Sequence, residues 1–503
     1  MPRIRSFFPL PIALDAGGIR PLYRQLADWF QQAILEGRLR PGQRVPSTRS
    51  LAQDLKISRI PVLTAYEQLH AEGYLETFRG AGTSVAAAIP REAFMPRSAR
   101  PASDPNRNPQ VSRRMRRMMA GPPDPTLGGL GPFRVSLPAL AQFPGRIWST
   151  LVARHARNPC RLALAYSGPM GYLPFRETIA EYLGTARAVD CDASQVMVVA
   201  GSQQGLSIIV RALLDHGDTV WMEEPGYPGA HRAFELADVK AVAVPVDQDG
   251  LDVREGIRRA PRARAVYVTP SHQYPLGMTM SAARRIMLLK WAATRRAWII
   301  EDDYDSEYRF GSRPLGALQG MGRGDRVIYV GTFSKVLFPS LRIGYLVVPK
   351  ELVPAFSMAR DALDLFAPVL FQKALTDFIR EGHFARHIRR MRMFYMTRRR
   401  MLVEALTANL AGAIEIASAD AGMHLVCLLP RGMNDRDLSR KAAAVGISVI
   451  PLSTCYLGKP ERPGLVLGYG GTERDEIERS VRLLAQILRN AKNAAPETRE
   501  QPK

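Results

Sequence analysis

Apolar positions near the N-terminus recur at helical spacing, at Leu22, Leu26, Phe30 and Ile34, with Gly37 placed to stop the run. A second helix is predicted after Ser47, an N-cap residue type, and buries Leu51, Ala52 and Leu55. Lys56-Ile-Ser58 makes a short turn in which Ser58 supplies the next cap. In the third helix Pro61 falls in the first turn, where backbone donors are unpaired in any case. Val62, Tyr66 and Leu69 face its core side, and Gly73 closes it. Two strand-like runs follow, 74–78 and 83–86, joined by Arg79-Gly-Ala-Gly82. This order predicts a winged helix-turn-helix, mostly α with a small β wing.

From 86 to about 144 the periodicity fades into a stretch dense in Pro, Arg, Ser and Ala, semi-extended where proline clusters. Domain boundaries are therefore set at 17–88 for the winged helix, 89–134 for a Pro/Arg-rich linker and 135–490 for a large domain. The basic cluster Arg113-Arg-Met-Arg-Arg117 inside the linker suits DNA phosphates, and equally a solvated segment or a helix docked on the large domain. Beyond it, β-branched runs alternate with helical stretches. The predicted strands are 196–200, 219–222, 241–244, 265–269, 297–301, 327–330 and 343–348. Such alternation indicates an α/β domain around a mostly parallel sheet, with sites where strands end and helices begin.

Composition narrows the class. The chain has 503 residues and 46% apolar content, enough for more than one domain and a sizeable core. Its four cysteines, Cys160, Cys191, Cys427 and Cys455, show no metal or disulfide spacing, which points to a reducing cytoplasm and no metal site. No apolar stretch is long enough to span a bilayer. The opening Phe7-Phe-Pro-Leu-Pro-Ile-Ala-Leu-Asp15 is broken by two prolines and lacks a small-residue cleavage site, unlike a signal peptide. A net charge of +22 attracts nucleic acid, but the excess of arginine over lysine fits a general arginine habit as well.

In a winged helix the N-terminal end of the third helix enters the major groove. Arg59 there, and Arg49 at the start of the second helix, suit guanine edges and phosphate oxygens. Ser58 lies beside Arg59, Thr64 is a groove-facing candidate, and Gly80 and Gly82 let the wing backbone approach the minor groove. The bland alternative is a three-helix bundle with solvated arginines. The segment resembles the GntR-type winged-helix family through Pro46-Ser-Thr-Arg-Ser-Leu-Ala, Ser58-Arg59 and Glu72-Gly-Tyr-Leu, over residues 17–88.

The large domain carries a second chemistry. Gly201-Ser-Gln-Gln-Gly205 opens a helix after a strand, where backbone N–H groups, Ser202 and Gln203 can hold a phosphate. Glu224-Pro-Gly-Tyr227 puts an aromatic ring at a strand end, suited to stacking on a planar cofactor or to simple packing. In Trp298-Ile-Ile-Glu-Asp-Asp-Tyr-Asp-Ser-Glu-Tyr308 a buried carboxylate needs a cation, and a pyridinium nitrogen is one. Asp302 is assigned that role and Tyr304 a hydrogen bond to the ring hydroxyl. Asp303, Asp305 and Glu307 are read as structural or surface carboxylates. One strand later Lys335 offers a Schiff-base amine, flanked by the phosphate ligands Thr332, Ser334 and Arg342. Its bland alternative is a surface lysine after a strand.

From about 135 to 490 the chain resembles fold type I pyridoxal-phosphate-dependent aminotransferases, through Asp302, Thr332-Phe-Ser-Lys335 and Arg342-Ile-Gly-Tyr345. The whole architecture resembles the MocR subfamily of GntR-type regulators, with Ser271-His-Gln-Tyr-Pro-Leu-Gly277 and Glu301-Asp-Asp-Tyr-Asp-Ser-Glu307 as that subfamily's variants. The resemblance implies pyridoxal 5'-phosphate held as an internal aldimine at Lys335, and a head-to-tail homodimer on a double-stranded DNA operator. Two positions depart from the enzymes. Tyr274 stands where they carry an asparagine that touches the ring hydroxyl, so His272 or Gln273 is expected to substitute. Val466, in Gly464-Leu-Val-Leu-Gly-Tyr469, stands where they carry the arginine that grips the substrate carboxylate. The expected function is a regulator rather than an enzyme, sensing pyridoxal phosphate itself or an amine that forms an external aldimine. The alternatives are an active aminotransferase with a DNA-binding appendage, and a constitutive DNA-bending protein that leaves Lys335 unexplained.

Overall fold

The computed structural model describes residues 12–15, 17, 20–78, 82–87, 111–121, 131–157, 159, 164–310, 315–322, 325–417 and 421–494. The chain divides into two units, Met1–Gln110 and Val111–Lys503.

In the first unit three helices, α1 (Leu22–Leu35), α2 (Thr48–Asp54) and α3 (Arg59–Ala71), precede a hairpin of β1 (Leu75–Phe78) and β2 (Gly82–Val85). Leu26, Phe30, Ile34, Val62 and Leu69 are fully buried in one core, each contributing about 1.5–3 kcal/mol by its removal from water. The expected helix starts differ in their chemistry. Ser47 accepts a hydrogen bond from the Ser50 amide at 3.1 Å, whereas Ser58 has the extended cap backbone but makes no side-chain cap bond. Leu55 is half-buried rather than fully buried. Gly37 and Gly73 follow their helices at φ of 71° and 77°, the left-handed region that glycine enters at little cost.

The second unit opens with α4 (Arg113–Ala120), inside the stretch expected to be a linker. Arg114 and Arg117 each pair with Asp238 at 3.1 Å, so the basic cluster docks on the large unit, the third of the readings its sequence allowed. Phe133, also from that stretch, is fully buried in the large core.

The main sheet has eight strands in the order β3-β10-β9-β8-β7-β4-β5-β6: β3 (Val196–Val199), β4 (Thr219–Glu224), β5 (Lys240–Asp247), β6 (Gly250–Leu251), β7 (Ala265–Val268), β8 (Trp298–Asp303), β9 (Val327–Thr332) and β10 (Gly344–Val347). All seven predicted strands are present. Neighbours among β4, β5, β7, β8 and β9 pair in parallel, while β10 runs antiparallel to β3 and β9, and β6 to β5. The sheet is therefore mixed, because β10 follows β9 through the connection 333–343, which holds only the short 3-10 helix Pro339–Leu341, instead of a crossover helix. A second, antiparallel sheet, in the order β11-β12-β14-β13, comprises β11 (Glu415–Ala417), β12 (His424–Leu428), β13 (Ile450–Pro451) and β14 (Gly464–Gly468). Among the described residues no helix is long and apolar enough to cross a membrane.

Candidate functional site

In the first unit Arg49, Ser58 and Arg59 are exposed at the start of α2 and α3. The Arg59 Nε donates to Thr48 Oγ1 at 3.1 Å, which ties Arg59 to the preceding helix. Tyr66 ties α3 to the segment that precedes α2: its buried hydroxyl donates to the Pro46 carbonyl at 3.0 Å. Thr64 is half-buried on α3. Gly82 begins β2 at φ 89°, while Gly80 lies outside the described residues. Two features were not singled out from sequence. Ile60 is 73% exposed beside Arg59, and exposed Arg44 forms an antiparallel backbone bridge with Ser84 on the wing strand.

In the second unit one cleft gathers Ser202, Tyr227, Asp302, Tyr304, Thr332 and Lys335. Strand alternation explains how. Ile300 and Asp302 share one face of β8, so the face that buries Ile300 in the core delivers Asp302 to the cleft where the strand ends. Asp302 accepts a hydrogen bond from the Tyr267 hydroxyl at 2.7 Å through Oδ2. Among the described residues its Oδ1 has no partner. Burial pushes its carboxyl up to about 7, against the pull of the Tyr267 hydroxyl.

Lys335 follows β9 in a turn anchored from below by the buried side chains of Phe333, Val336 and Leu337. Their amide bonds to Phe333 O, at 3.2 Å from Val336 and 2.8 Å from Leu337, close the turn. The Ser334 amide donates to Thr332 Oγ1 at 3.2 Å, and the buried Ser334 hydroxyl has no partner among the described residues. Arg342 sits in the left-handed region, φ 51°, and donates to the Ala200 carbonyl at 2.7 Å. A Cβ on Gly201 would come within 3.3 Å of its guanidinium. Arg342 thus lies against the N-terminus of the helix Ser202–Leu213, where anions are favoured.

Tyr227 is set by its neighbours. Glu224 accepts from the Leu457 and Gly458 amides at 2.8 Å each, pinning this loop to the second sheet's side, and Gln203 reaches the Tyr227 hydroxyl at 3.5 Å. Tyr227 meets Tyr274 edge-on, with centroids 5.6 Å apart. Of the two residues expected to replace the missing asparagine, Gln273 turns away: its amide donates to the Pro225 and Tyr274 carbonyls at 2.8 and 2.7 Å. His272 faces the cleft's edge, its Nδ1 3.0 Å from the Tyr304 hydroxyl and 2.9 Å from Asp305. Asp303 is buried and paired with Arg187 at 2.7 Å, as befits a structural carboxylate.

The cleft also takes in Ser136, Tyr267, Thr269 and Tyr274, which sequence reasoning did not assign to a site. Tyr267 and Thr269 had a usable signal, since a hydroxyl at the end of a wholly buried strand needs a partner. Val466 is fully buried on β14, paired across to Val426 and Ile450 in an apolar cluster against which Tyr227 and Tyr304 pack. Among the described residues lining the cleft there is no arginine.

The family of bacterial regulatory proteins of the gntR type matches residues 22–85, and aminotransferase class I and II matches 150–479. The probable rhizopine catabolism regulatory protein MocR of Rhizobium meliloti is 41% identical over 94% of this chain and 95% of its own length. The chain belongs to the MocR subfamily of GntR-type regulators. Another member-like relative, the pyridoxine biosynthesis transcriptional regulator PdxR of Corynebacterium glutamicum, is 31% identical over 93% of this chain and 96% of its own. Among solved structures, the α-aminoadipate aminotransferase LysN of Thermus thermophilus, complexed with N-(5'-phosphopyridoxyl)-L-leucine, superposes with a TM-score of 0.68 at 29% identity. It covers 77% of this chain and 96% of its own, so this MocR-type chain carries the aminotransferase fold nearly entire.

Proposed function

We propose that this MocR-type chain is a cytoplasmic transcriptional regulator whose large unit holds pyridoxal 5'-phosphate and whose operator affinity responds to what occupies that cleft. The unpartnered Oδ1 of buried Asp302, in a cleft shared with Lys335, carries the reading. A raised carboxyl there suits a protonated ring nitrogen, which would restore its charge. Lys335 would hold the aldehyde carbon, with Tyr304 beside the ring hydroxyl and Tyr227 against the ring. Ser202, Gln203, Thr332, Ser334 and Arg342 would take the phosphate, and His272 would orient Tyr304. When bound, the cofactor supplies an electron sink.

The reading favours a regulator over an enzyme because, Arg342 at the phosphate end aside, the described residues of the cleft include no arginine, and Val466 is buried in an apolar cluster against which Tyr227 and Tyr304 pack. A substrate carboxylate buried there would lack the partner it needs. The signal is therefore the cofactor itself or an amine without a carboxylate; the relative PdxR is by name a regulator of pyridoxine biosynthesis. The DNA-binding domain is taken as 17–88, with Arg49, Ser58, Arg59, Thr64, Gly80 and Gly82 as its contacts, 89–134 as the connection and 135–490 as the cofactor domain. A head-to-tail homodimer would place two such domains on half-sites about one helical turn or a multiple apart, and an occupant favouring one of two conformers would change operator affinity.

The deciding experiment is binding of the apo-protein to DNA from upstream of its own gene, titrated with pyridoxal phosphate. A change in affinity or footprint identifies the cofactor as signal. Tight binding that ignores it directs the search to an amine, and absence of binding to any fragment would bring the aminotransferase alternative forward.

A further inference from the structure

We infer that a second cavity of the large unit, walled by Phe384 and Ile388 with Ser306 and Glu307 at its floor, binds a small apolar monocarboxylate. The cavity has a volume of about 250 Å³ and shares no lining residue with the cofactor cleft. Its walls come from two helices, Leu173–Arg187 and His383–Leu410, and from Ile379. The Tyr182 ring meets Phe384 edge-on at 5.3 Å, and both rings line the hollow.

Its polar groups sit at two ends. At the floor the buried Ser306 hydroxyl has no hydrogen-bond partner among the described residues, an arrangement that costs free energy unless something fills it. Beside it Glu307 accepts from the Tyr182 hydroxyl at 2.8 Å, and burial pushes its carboxyl up to about 7. At the rim are two arginines, exposed Arg389 and Arg392, whose Nε donates to the Glu307 carbonyl at 3.0 Å. A mostly apolar hollow with a few convergent polar groups is the usual form of a small-molecule site. The cationic rim selects an anionic head, the walls an apolar body, and the Ser306 hydroxyl tolerates a polar tip. An amine would meet the wrong charge at the rim.

The floor adjoins residues that support the cofactor cleft. Ser306 follows Asp305, which holds His272 at 2.9 Å. Arg187, which also lines the cavity, pairs with Asp303 and donates to Ser271 Oγ, both at 2.7 Å. An occupant therefore presses on the residues flanking Asp302 without reacting with Lys335, which makes the cavity an effector site of a different chemistry from the cofactor's.

Isothermal titration of the full chain with phenylacetate, and separately with hexanoate, tests this. The expected result is saturable one-site binding of at least one acid, weakened about tenfold or more by Ala385→Trp, which fills the wall, and by Arg389→Glu, which reverses the rim. Benzyl alcohol should bind more weakly than phenylacetate. Arg389 is exposed, so its variant decides the matter if Ala385→Trp fails to fold. No saturable binding of either acid overturns the proposal, as does binding that Arg389→Glu leaves unchanged or that pyridoxal phosphate displaces competitively.

Discussion

The Tyr267 hydroxyl donates to Asp302 Oδ2 at 2.7 Å, and this one bond supports a carboxyl that burial holds at about 7, against an ordinary value of 3.8. A carboxyl raised on folding binds more protons in the folded than in the unfolded state between those two values. Stability contributed by the proton is therefore present below about pH 4 and lost as pH rises toward 7. Glu223, buried and pushed up to about 7, acts in the same direction. The apo-protein should melt at a lower temperature at pH 7.5 than at pH 5, and Asp302→Asn should flatten that slope. Thermal melts across this range check it. An Asp302→Asn slope equal to that of the wild type would mean the carboxyl is already ionised at pH 5.

Lys335→Ala should abolish the visible absorption that develops when pyridoxal phosphate is added, with the circular dichroism spectrum unchanged. Arg342→Ala should keep that absorption but require more cofactor. A charge-assisted hydrogen bond contributes about 1.5–3 kcal/mol, so a rise of roughly tenfold to a hundredfold in the dissociation constant is expected. An unchanged constant would remove Arg342 from the phosphate.

Arg59→Ala should weaken operator binding by about 1–3 kcal/mol while leaving cofactor uptake intact. Thr48→Val should act in the same direction more weakly, because Thr48 accepts from the Arg59 Nε. Electrophoretic shifts at two salt concentrations separate the cases. A lost phosphate contact lowers the salt dependence, whereas a lost base contact lowers affinity for the operator more than for random DNA.

Asp238→Asn should loosen α4 without unfolding the large unit. Asp238 holds Arg114 and Arg117, but exposed ion pairs contribute only about 0–1 kcal/mol each. Global melting should barely move while limited trypsin cleavage at 113–117 accelerates. Cleavage at the wild-type rate would show that α4 is held by contacts other than these ion pairs.

What was legible in the sequence follows physical lines. The strands of the main sheet read clearly because burial on both faces demands unbroken apolar runs, as in Val196–Val199 and Val327–Thr332. Asp302, Lys335 and Arg342 stood out because nothing in a core calls for those residue types at strand ends. The second sheet did not read, since β11 and β13 have three and two residues, too few to show alternation. Ser136 was hidden because it reaches the cleft through a left-handed backbone, φ 66°, that only the assembled fold imposes. Tyr267 lay unremarked inside the predicted strand 265–269, its hydroxyl's partner lying on the neighbouring strand. Ser58 looked like a cap by type, yet the cap bond is absent while the neighbouring Arg59 takes the Thr48 hydroxyl.

The wall around Val466 makes the last prediction. A carboxylate entering the cleft would meet no arginine among the described lining residues, and behind Tyr227, Tyr274 and Tyr304 lies the apolar cluster of Val466, Ile450 and Leu452. Leaving such a charge unpaired costs several kcal/mol, whereas an amine without the carboxylate loses nothing there. Cadaverine should therefore perturb the cofactor's absorption at lower concentration than L-lysine, its carboxylated parent, by about tenfold or more. Val466→Arg should narrow or reverse that ratio if the variant folds. Should it fail to fold, the wild-type comparison still decides: equal response to the two compounds would show that the carboxylate finds a partner from elsewhere, and turnover of L-lysine with a keto acid would favour the enzyme over the regulator.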